Sequence, residues 1–265
     1  MKRKIERKRK RKMEMNIYES NKILAEYLLF HYGAPEDVLS HADGLHGALG
    51  YPQRCVSECL DVACLPANAR ALDLGCAVGR STFELARHCE EVIGVDFSRR
   101  FIDAAESLGA DGRLEYRRAD EGSLTTPCVA VVPHEIDRRR ARFENGDAMN
   151  LRGDLGQFDV VLMANLIDRL TEPSRCLARL AGLMRPGAQL IITSPYTWLE
   201  EFTPRENWLG GFERDSQRVT TRDGLQKVLA EDFQLLSTRD LPFLIREHAR
   251  KFQWSVAEAT IWRRL

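Results

Sequence analysis

The chain has 265 residues, 44% of them hydrophobic, and a formal net charge of zero from 39 basic and 39 acidic side chains. That length and apolar content suit one soluble globular domain with an ample core. No apolar run approaches the ~18 residues of a membrane span, and the basic start has no apolar stretch behind it, so neither a membrane anchor nor a secretory signal is expected. Seven cysteines, an odd number with no leader, fit reduced thiols and cytoplasmic residence.

The neutral total conceals an asymmetry. Residues 1–12 hold nine Lys/Arg and one Glu, which leaves 30 basic against 38 acidic side chains in the remainder. Such a like-charged run reads as a solvated, disordered tail over residues 1–15. No aromatic residues interleave the charges to stack on bases, so nucleic acid is not an expected partner. From Asn16 to Tyr32 apolar residues recur at helical spacing, with Asn16 as a cap, Glu19 three residues on, and Gly33 and Pro35 as a stop. This helix opens an N-terminal helical cap, residues 16–66, that could close over a ligand. Residues 34–53 read as loop, and a second helix is expected over about Arg54 to Leu65. Cys55, Cys59 and Cys64 lie on or near it without paired C-x-x-C units or spaced histidines, which predicts small buried side chains and no metal.

Ala71-Leu-Asp73-Leu-Gly75-Cys76-Ala77-Val78-Gly79-Arg80 reads as a buried strand, a tight turn and the opening of a helix. Gly75 and Gly79 can adopt positive φ and let a cofactor approach the backbone. A dinucleotide fingerprint would need a third glycine where Arg80 stands. Asp73 sits inside the strand, where a carboxylate is costly unless paired, and a ligand's amine would pair it. The next strand, Glu91 to Asp96, ends in an acid 21 positions after Gly75, the place of a carboxylate that grips ribose hydroxyls. An amine-seeking acid and a ribose-seeking acid together point to S-adenosylmethionine.

An amphipathic helix follows from Arg99 to Leu108. Before the third parallel strand, Arg140 to Ala148, lies a stretch too long for a simple connection, read as an inserted hairpin over residues 111–139. Asp147, at that strand's end, either accepts from an adenine amine or caps a helix. Gln157 to Asn165 is a central strand with Asn165 at its carboxyl end, where open α/β sheets bind ligands. A helix begun by Thr171 and Pro173 is stopped by Pro186-Gly187, and Ala188 to Ser194 is the fifth strand. The segment Tyr196 to Gly211 is too aromatic and charged for a mere connector. Thr220 to Ala230 gives a last helix, then Phe233 to Leu241 and Phe252 to Arg263 pair antiparallel. The order predicts an α/β, Rossmann-like fold: a seven-stranded, mostly parallel sheet with an antiparallel last strand, helices on both faces and no second domain.

The turn resembles the D-x-G-x-G-x-G signature of class I methyltransferases, with Ala77 replacing one glycine. That resemblance implies that Asp73 and Gly75, Cys76, Ala77 and Gly79 hold the methionine end of S-adenosylmethionine, Asp96 and Phe97 the ribose side, and Asp147 and Ala148 the adenine. Asn165 would border both ligands, S-adenosylhomocysteine would be the product, and no metal is required. Outside these motifs, Asn16-Ile-Tyr18-Glu-Ser-Asn21, Leu28 to Gly33, Asn165-Leu-Ile-Asp168-Arg-Leu170, Ser194 to Glu201 and Pro204 to Gly211 resemble the methyltransferase module of ovothiol biosynthesis. The resemblance implies methyl transfer to the side-chain-proximal imidazole nitrogen of 5-thiohistidine, giving ovothiol A. An iron-dependent sulfoxide synthase would act upstream as a partner; its H-x-x-x-H-x-E motif does not occur in this sequence. Asn165, Asp168 and Tyr196 are the candidate catalytic residues, and Tyr18, Asn21, Asp168, Tyr196 and Glu200 the candidate grip on thiohistidine. Two other functions are compatible with the sequence. One is a methyltransferase for histidine or another small amine; the other is a non-enzymatic nucleic-acid binder acting through the basic tail.

Overall fold

A computed structural model describes residues 17–41 and 44–265. The basic tail and the expected Asn16 cap lie outside the described residues. The first helix, α1 (Asn21–Tyr32), is capped by Ser20, whose Oγ accepts from the Ile23 N–H at 3.2 Å, and it follows a single 3-10 turn over Ile17–Glu19. It is shorter than the apolar periodicity suggested, because a serine in extended conformation satisfies the helix's first donors one turn later.

After α2 (Pro35–Val38), helix α3 covers Tyr51–Ser57, earlier and shorter than the Arg54–Leu65 expectation. Gly50, at φ 64°, precedes it, and Pro52 sits in its first turn, where a missing N–H costs nothing. Asp61 then captures the Ala63 N–H and diverts the chain into a separate 3-10 turn at Val62–Cys64. Of the three cysteines, Cys55 and Cys59 are buried and Cys64 is exposed.

Strand β1 (Arg70–Leu74), α4 (Arg80–Leu85), β2 (Glu91–Asp96) and α5 (Arg99–Asp111) form the first two βα units. The insertion follows as the antiparallel hairpin β3 (Arg113–Glu121) and β4 (Leu124–Val131), and β5 (Ala141–Asn145) and β6 (Phe158–Ala164) return to the main sheet. The expected single helix before the fifth strand is two short ones, α6 (Pro173–Ala178) and α7 (Leu180–Leu183). Strand β7 (Met184–Ser194) already includes Pro186-Gly187: Met184 pairs with Phe158, the register breaks, and pairing resumes with Gln189 opposite Val160. The Pro-Gly pair marks an irregularity inside the strand, a position that tolerates a missing N–H and the positive φ of Gly187. The small hairpin β8 (Phe212–Arg214) and β9 (Gln217–Val219), helix α8 (Thr221–Leu229), β10 (Phe233–His248) and β11 (Lys251–Arg264) complete the chain. Thr220 and Asp223 form the full capping box of α8.

The main sheet has seven strands in the order β10-β11-β7-β6-β1-β2-β5. All neighbours run parallel except β11, which is antiparallel to both β7 and β10. This is the predicted Rossmann-like α/β architecture. Strands β1, β6 and β7 are buried on both faces, as the nearly continuous apolar runs require. One core, with Leu28, Tyr51, Phe83, Phe101 and Leu108, packs α1, α3, α4 and α5 on one face; the other, with Ile167, Leu180, Leu225 and Trp262, packs α6, α7 and α8 on the opposite face. The inserted hairpin is tied to the first face by arginines. Arg246 of β10 donates to Asp37 O at 2.7 Å and Asp120 Oδ1 at 2.9 Å, and Arg118 of β3 pairs with Asp37 and Asp120. The sheet order reverses between β1 and β6, so the carboxyl ends of these two strands flank the crevice where ligands bind in such folds.

Candidate cofactor and acceptor site

The β1–α4 turn alternates left-handed residues: Gly75 at φ 77°, Ala77 at 47° and Gly79 at 84°. A Cβ on Gly79 would come within 2.7 Å of the Phe143 ring, and one on Gly75 within 3.0 Å of Leu166. Gly79 is therefore required by sterics as well as by φ, and Gly75 chiefly by φ. Ala77 takes the same conformation with a side chain, at a cost of about 1–2 kcal/mol. What holds it there is Asp96, whose Oδ2 accepts the Ala77 N–H at 2.9 Å while Oδ1 accepts the Ser98 N–H at 2.8 Å. Tyr32 fastens the loop from the other side by donating its hydroxyl to Val78 O at 2.8 Å.

Asp73 is fully buried beneath this loop. Its Oδ2 accepts from the Ser81 and Thr82 hydroxyls, both at 2.7 Å, and its Oδ1 has no protein partner. Burial pushes its carboxyl up to about 6, against the pull of the two hydroxyls. An orphaned acid oxygen under a loop of close backbone approach fits an amine-bearing ligand such as S-adenosylmethionine. Burial likewise raises the Asp96 carboxyl, opposed by the two backbone N–H donors. Each Asp96 oxygen keeps a lone pair for a ribose hydroxyl. Beside it the Phe97 ring is 70% exposed, a free face of the kind on which a purine stacks. Asp147 is exposed and caps the 3-10 turn that begins at Ala148, its Oδ1 accepting from the Met149 N–H at 2.8 Å. The capping role is thus present, and the second carboxylate oxygen stays open to solvent. Cys76 is buried, with its Sγ toward Ala77 O.

On the other side of the crevice stands Asn165, at φ 51° directly after β6. Its Oδ1 accepts from the Tyr51 hydroxyl at 2.7 Å, and that hydroxyl lies 2.7 Å from Thr193 Oγ1. With the carbonyl end of the amide engaged by the tyrosine, the Asn165 amide nitrogen is the end available to a ligand. Asp168 is 1% exposed; its Oδ2 accepts from the Thr197 N–H at 3.0 Å and pairs with Arg169 at 3.3 Å, while Oδ1 has no protein partner. Burial raises its carboxyl, partly offset by the Arg169 charge. Tyr18 reaches over from the N-terminal turn. Its hydroxyl interacts with the Arg169 guanidinium, within electrostatic reach of Asp168 and Asp96, and its ring packs edge-on against Tyr27 and Phe101. The N-terminal segment thus joins the ribose-side acid to the acid after β6.

Three predicted residues stand differently. Asn21 is exposed and accepts from Arg100 on the surface of α5, so its carbonyl is already engaged. Glu200 is exposed in the segment after β7. The Tyr196 hydroxyl donates to Glu258 at 2.6 Å, and Glu258 also pairs with Arg222. Burial and the adjacent Glu258 raise the phenol, which makes it a poor proton donor or acceptor for catalysis; its ring alone can border a ligand. The aromatic segment to which Tyr196 belongs is mostly internal structure, with Trp198 stacked on Trp208 at 6.2 Å and donating to Thr221 Oγ1. Sequence reasoning missed Tyr51, Thr193 and Arg169. Tyr51 lay in a stretch read as loop, and nothing local marks a tyrosine whose partner is 114 positions away. Among the described residues no group of three or more His, Cys, Asp or Glu side chains could hold a metal ion.

A family model described as a methyltransferase domain matches residues 72–190. The ubiquinone biosynthesis O-methyltransferase of Rhodopseudomonas palustris (strain TIE-1) is 29% identical over 138 residues, 52% of this chain and 44% of that protein. The enzyme of the same name from Coxiella burnetii (strain Dugway 5J108-111) is 26% identical over 123 residues, 46% of this chain and 42% of that protein. The chain thus spans less than half the length of these curated relatives. A S-adenosylmethionine-dependent methyltransferase from Methanosarcina mazei superposes with a TM-score of 0.50 at 18% identity, covering 77% of this chain and 95% of that one, and so shares the fold. Sheet order and loop are those of the class I methyltransferase fold, residues 72–190 match a methyltransferase domain, and the cofactor is S-adenosylmethionine.

Proposed function

We propose that this domain methylates the side-chain-proximal imidazole nitrogen of 5-thiohistidine, giving ovothiol A and S-adenosylhomocysteine. The observation that carries the reading is the buried Asp168 oxygen without a protein partner, beside the Arg169 guanidinium at the carboxyl end of β6. An α-amino acid offers an ammonium to the first and a carboxylate to the second. The Asn165 amide nitrogen suits the thiolate sulfur, which it would hold by hydrogen bonding. The sequence likeness to ovothiol methyltransferase modules at Asn165 to Leu170 and Ser194 to Glu201 supports the same acceptor.

When bound, S-adenosylmethionine supplies an already electrophilic methyl, so the protein's task is placement. Asp73 and Asp96 bind and orient the donor. Asp168 and Arg169 fix the amino-acid end of the acceptor, and Asn165 keeps the competing sulfur off the methyl. The ring nitrogen's lone pair forms the new N–C bond as the S–C pair returns to sulfur. The resulting ring cation is balanced by the acceptor's own thiolate, so no protein base is required. In-line placement about 3 Å apart accounts for most of the acceleration available to such a transfer. The relatives named as O-methyltransferases suggest a phenolic acceptor instead, but a phenol carries no cation for Asp168. The test is incubation with S-adenosylmethionine and, separately, 5-thiohistidine, histidine and catechol, with products assigned by NMR. Nitrogen methylation of thiohistidine in clear preference is expected. Dominant S-methylation, equal turnover of histidine, or preference for catechol would overturn the acceptor assignment.

A further inference from the structure

A partly open hollow lies away from the crevice, where the end of α1, the start of α3, the first residue of α4, the inserted hairpin and β10 meet. It is a cavity of about 190 Å³, walled by Phe30, His31, Gln53, Arg80, Val131 and Leu244 among others. Two of the residues that line it carry buried polar atoms with no protein partner: Nη1 of Arg80, a residue 4% exposed, and Nδ1 of His31, 8% exposed. Neither atom belongs to the donor or acceptor geometry. Phe30 stacks on Tyr51 at 5.9 Å, and Tyr51 packs on Phe243 at 4.8 Å, so an aromatic layer adjoins the cavity on the side of the tyrosine that bonds Asn165.

The Arg80 guanidinium shares its carboxylate partner with Arg87. Its Nη2 donates to Glu84 at 3.1 Å, but Glu84 also receives Arg87 Nε at 2.5 Å, so one carboxylate serves two guanidinium groups. Arg87 also donates from Nη2 to Glu135 at 2.8 Å. Arg80 keeps the Nη1 donors of a planar fork that matches a carboxylate. Beside it, burial and then the Arg80 charge push the His31 imidazole down to about 3, so the ring is neutral and can present Nδ1–H. A buried guanidinium with idle donors is expensive unless an anion completes it. Phe30, Val131 and Leu244 give the lining an apolar side, while Gln53 and Tyr32 add polar groups to it.

We propose that this cavity is a second binding site, for a small carboxylate with a short apolar tail. One oxygen accepts from Arg80 Nη1, the other from His31 Nδ1, and the tail lies against Phe30, Val131 and Leu244. At roughly 30 Å³ per water-sized group, the space suits a molecule of about six heavy atoms. The proposal is independent of the acceptor assignment: it needs neither methyl transfer nor thiohistidine.

Butyrate is the matching probe and butan-1-ol its uncharged control. The full chain, with labelled histidines, is titrated with sodium butyrate against sodium chloride at constant ionic strength, and the His31 ring signal is identified by its loss in His31→Phe. A saturable shift of the His31 signal with butyrate, and none with butan-1-ol, is expected. Calorimetric affinity for butyrate should fall about 10-fold or more in His31→Phe and in Arg80→Lys, as loss of a charge-assisted hydrogen bond implies. His31→Phe preserves an aromatic ring and strands no charge, so it tests the site even if Arg80→Lys disturbs α4. Affinity for S-adenosylhomocysteine should stay within twofold in His31→Phe. An unmoved His31 signal, an equal response to butan-1-ol, or undiminished butyrate binding in a folded His31→Phe protein would overturn the proposal.

Discussion

Asp96 holds the loop and is proposed to grip the ribose, and Asp96→Ala tests both roles in separate assays. Its oxygens receive the Ala77 and Ser98 N–H groups at 2.9 and 2.8 Å, and its remaining lone pairs are assigned to ribose hydroxyls. Removing the carboxylate strands two backbone donors, each worth about 1–3 kcal/mol where water cannot replace the partner. The Ala77 peptide, held at φ 47° against its own Cβ, loses its tether as well. Stability should fall by about 2–4 kcal/mol, within what a domain of this size can lose and still fold at low temperature. The two ribose hydrogen bonds are charge-assisted, at about 1.5–3 kcal/mol each, so affinity for S-adenosylhomocysteine should drop by ~10² to ~10⁴. Calorimetry on the folded variant reads the second number and urea denaturation the first. Full affinity in a destabilised protein would mean that Asp96 serves the loop alone, and the ribose assignment would be wrong.

Tyr51→Phe removes the hydroxyl that orients Asn165, and should lower kcat/KM for the acceptor by ~10-fold, about one hydrogen bond's worth, while donor affinity changes little; a parallel loss of donor affinity would place Tyr51 in the donor pocket instead. Gly79→Ala, which combines φ 84° with a 2.7 Å approach to Phe143, should destabilise by roughly 2–4 kcal/mol in urea titration; a change under about 0.5 kcal/mol would show that the loop relaxes freely. Asp73 has a carboxyl raised from 3.8 to about 6 in the folded chain. The folded state therefore holds that proton more tightly than the unfolded one, and its stabilising effect, full below about pH 4, is lost as pH rises through about 6. Relative to Asp73→Asn, which cannot ionise, the unliganded wild type should lose roughly 2 kcal/mol between pH 4 and pH 8. A stability gap that does not vary with pH would contradict a buried, ionising Asp73.

The sheet and its order of elements were legible because both sequence signals are local. Nearly continuous apolar runs over residues 71–74, 92–95 and 158–163 mark strands buried on two faces, and the glycines after the first mark a turn that needs positive φ. Asp73 and Asp96 were visible as acids at or inside strand ends, and the structure brings both to one loop, from beneath and from the side. Element boundaries moved where a side chain outcompeted periodicity: Ser20 and Asp61 captured N–H groups, and Pro186-Gly187 was absorbed into β7 as an irregularity. The same composition that marked Tyr196 to Gly211 as special gave no means of telling a ligand wall from two stacked tryptophans. The proposed acceptor side was the least readable, because its parts come from four separate stretches. Tyr18, Tyr51, Asn165 to Arg169 and Thr193 have no common spacing, and only the closing of α1 and α3 over the strand ends makes them neighbours. What the sequence determined by itself was therefore the chemistry of the donor loop, since backbone freedom and buried charge are properties of single residues. Which hydroxyl orients Asn165, which acid oxygen is left idle, and where Arg80 meets His31 were decided by tertiary packing, which alone sets distances between side chains far apart in the chain.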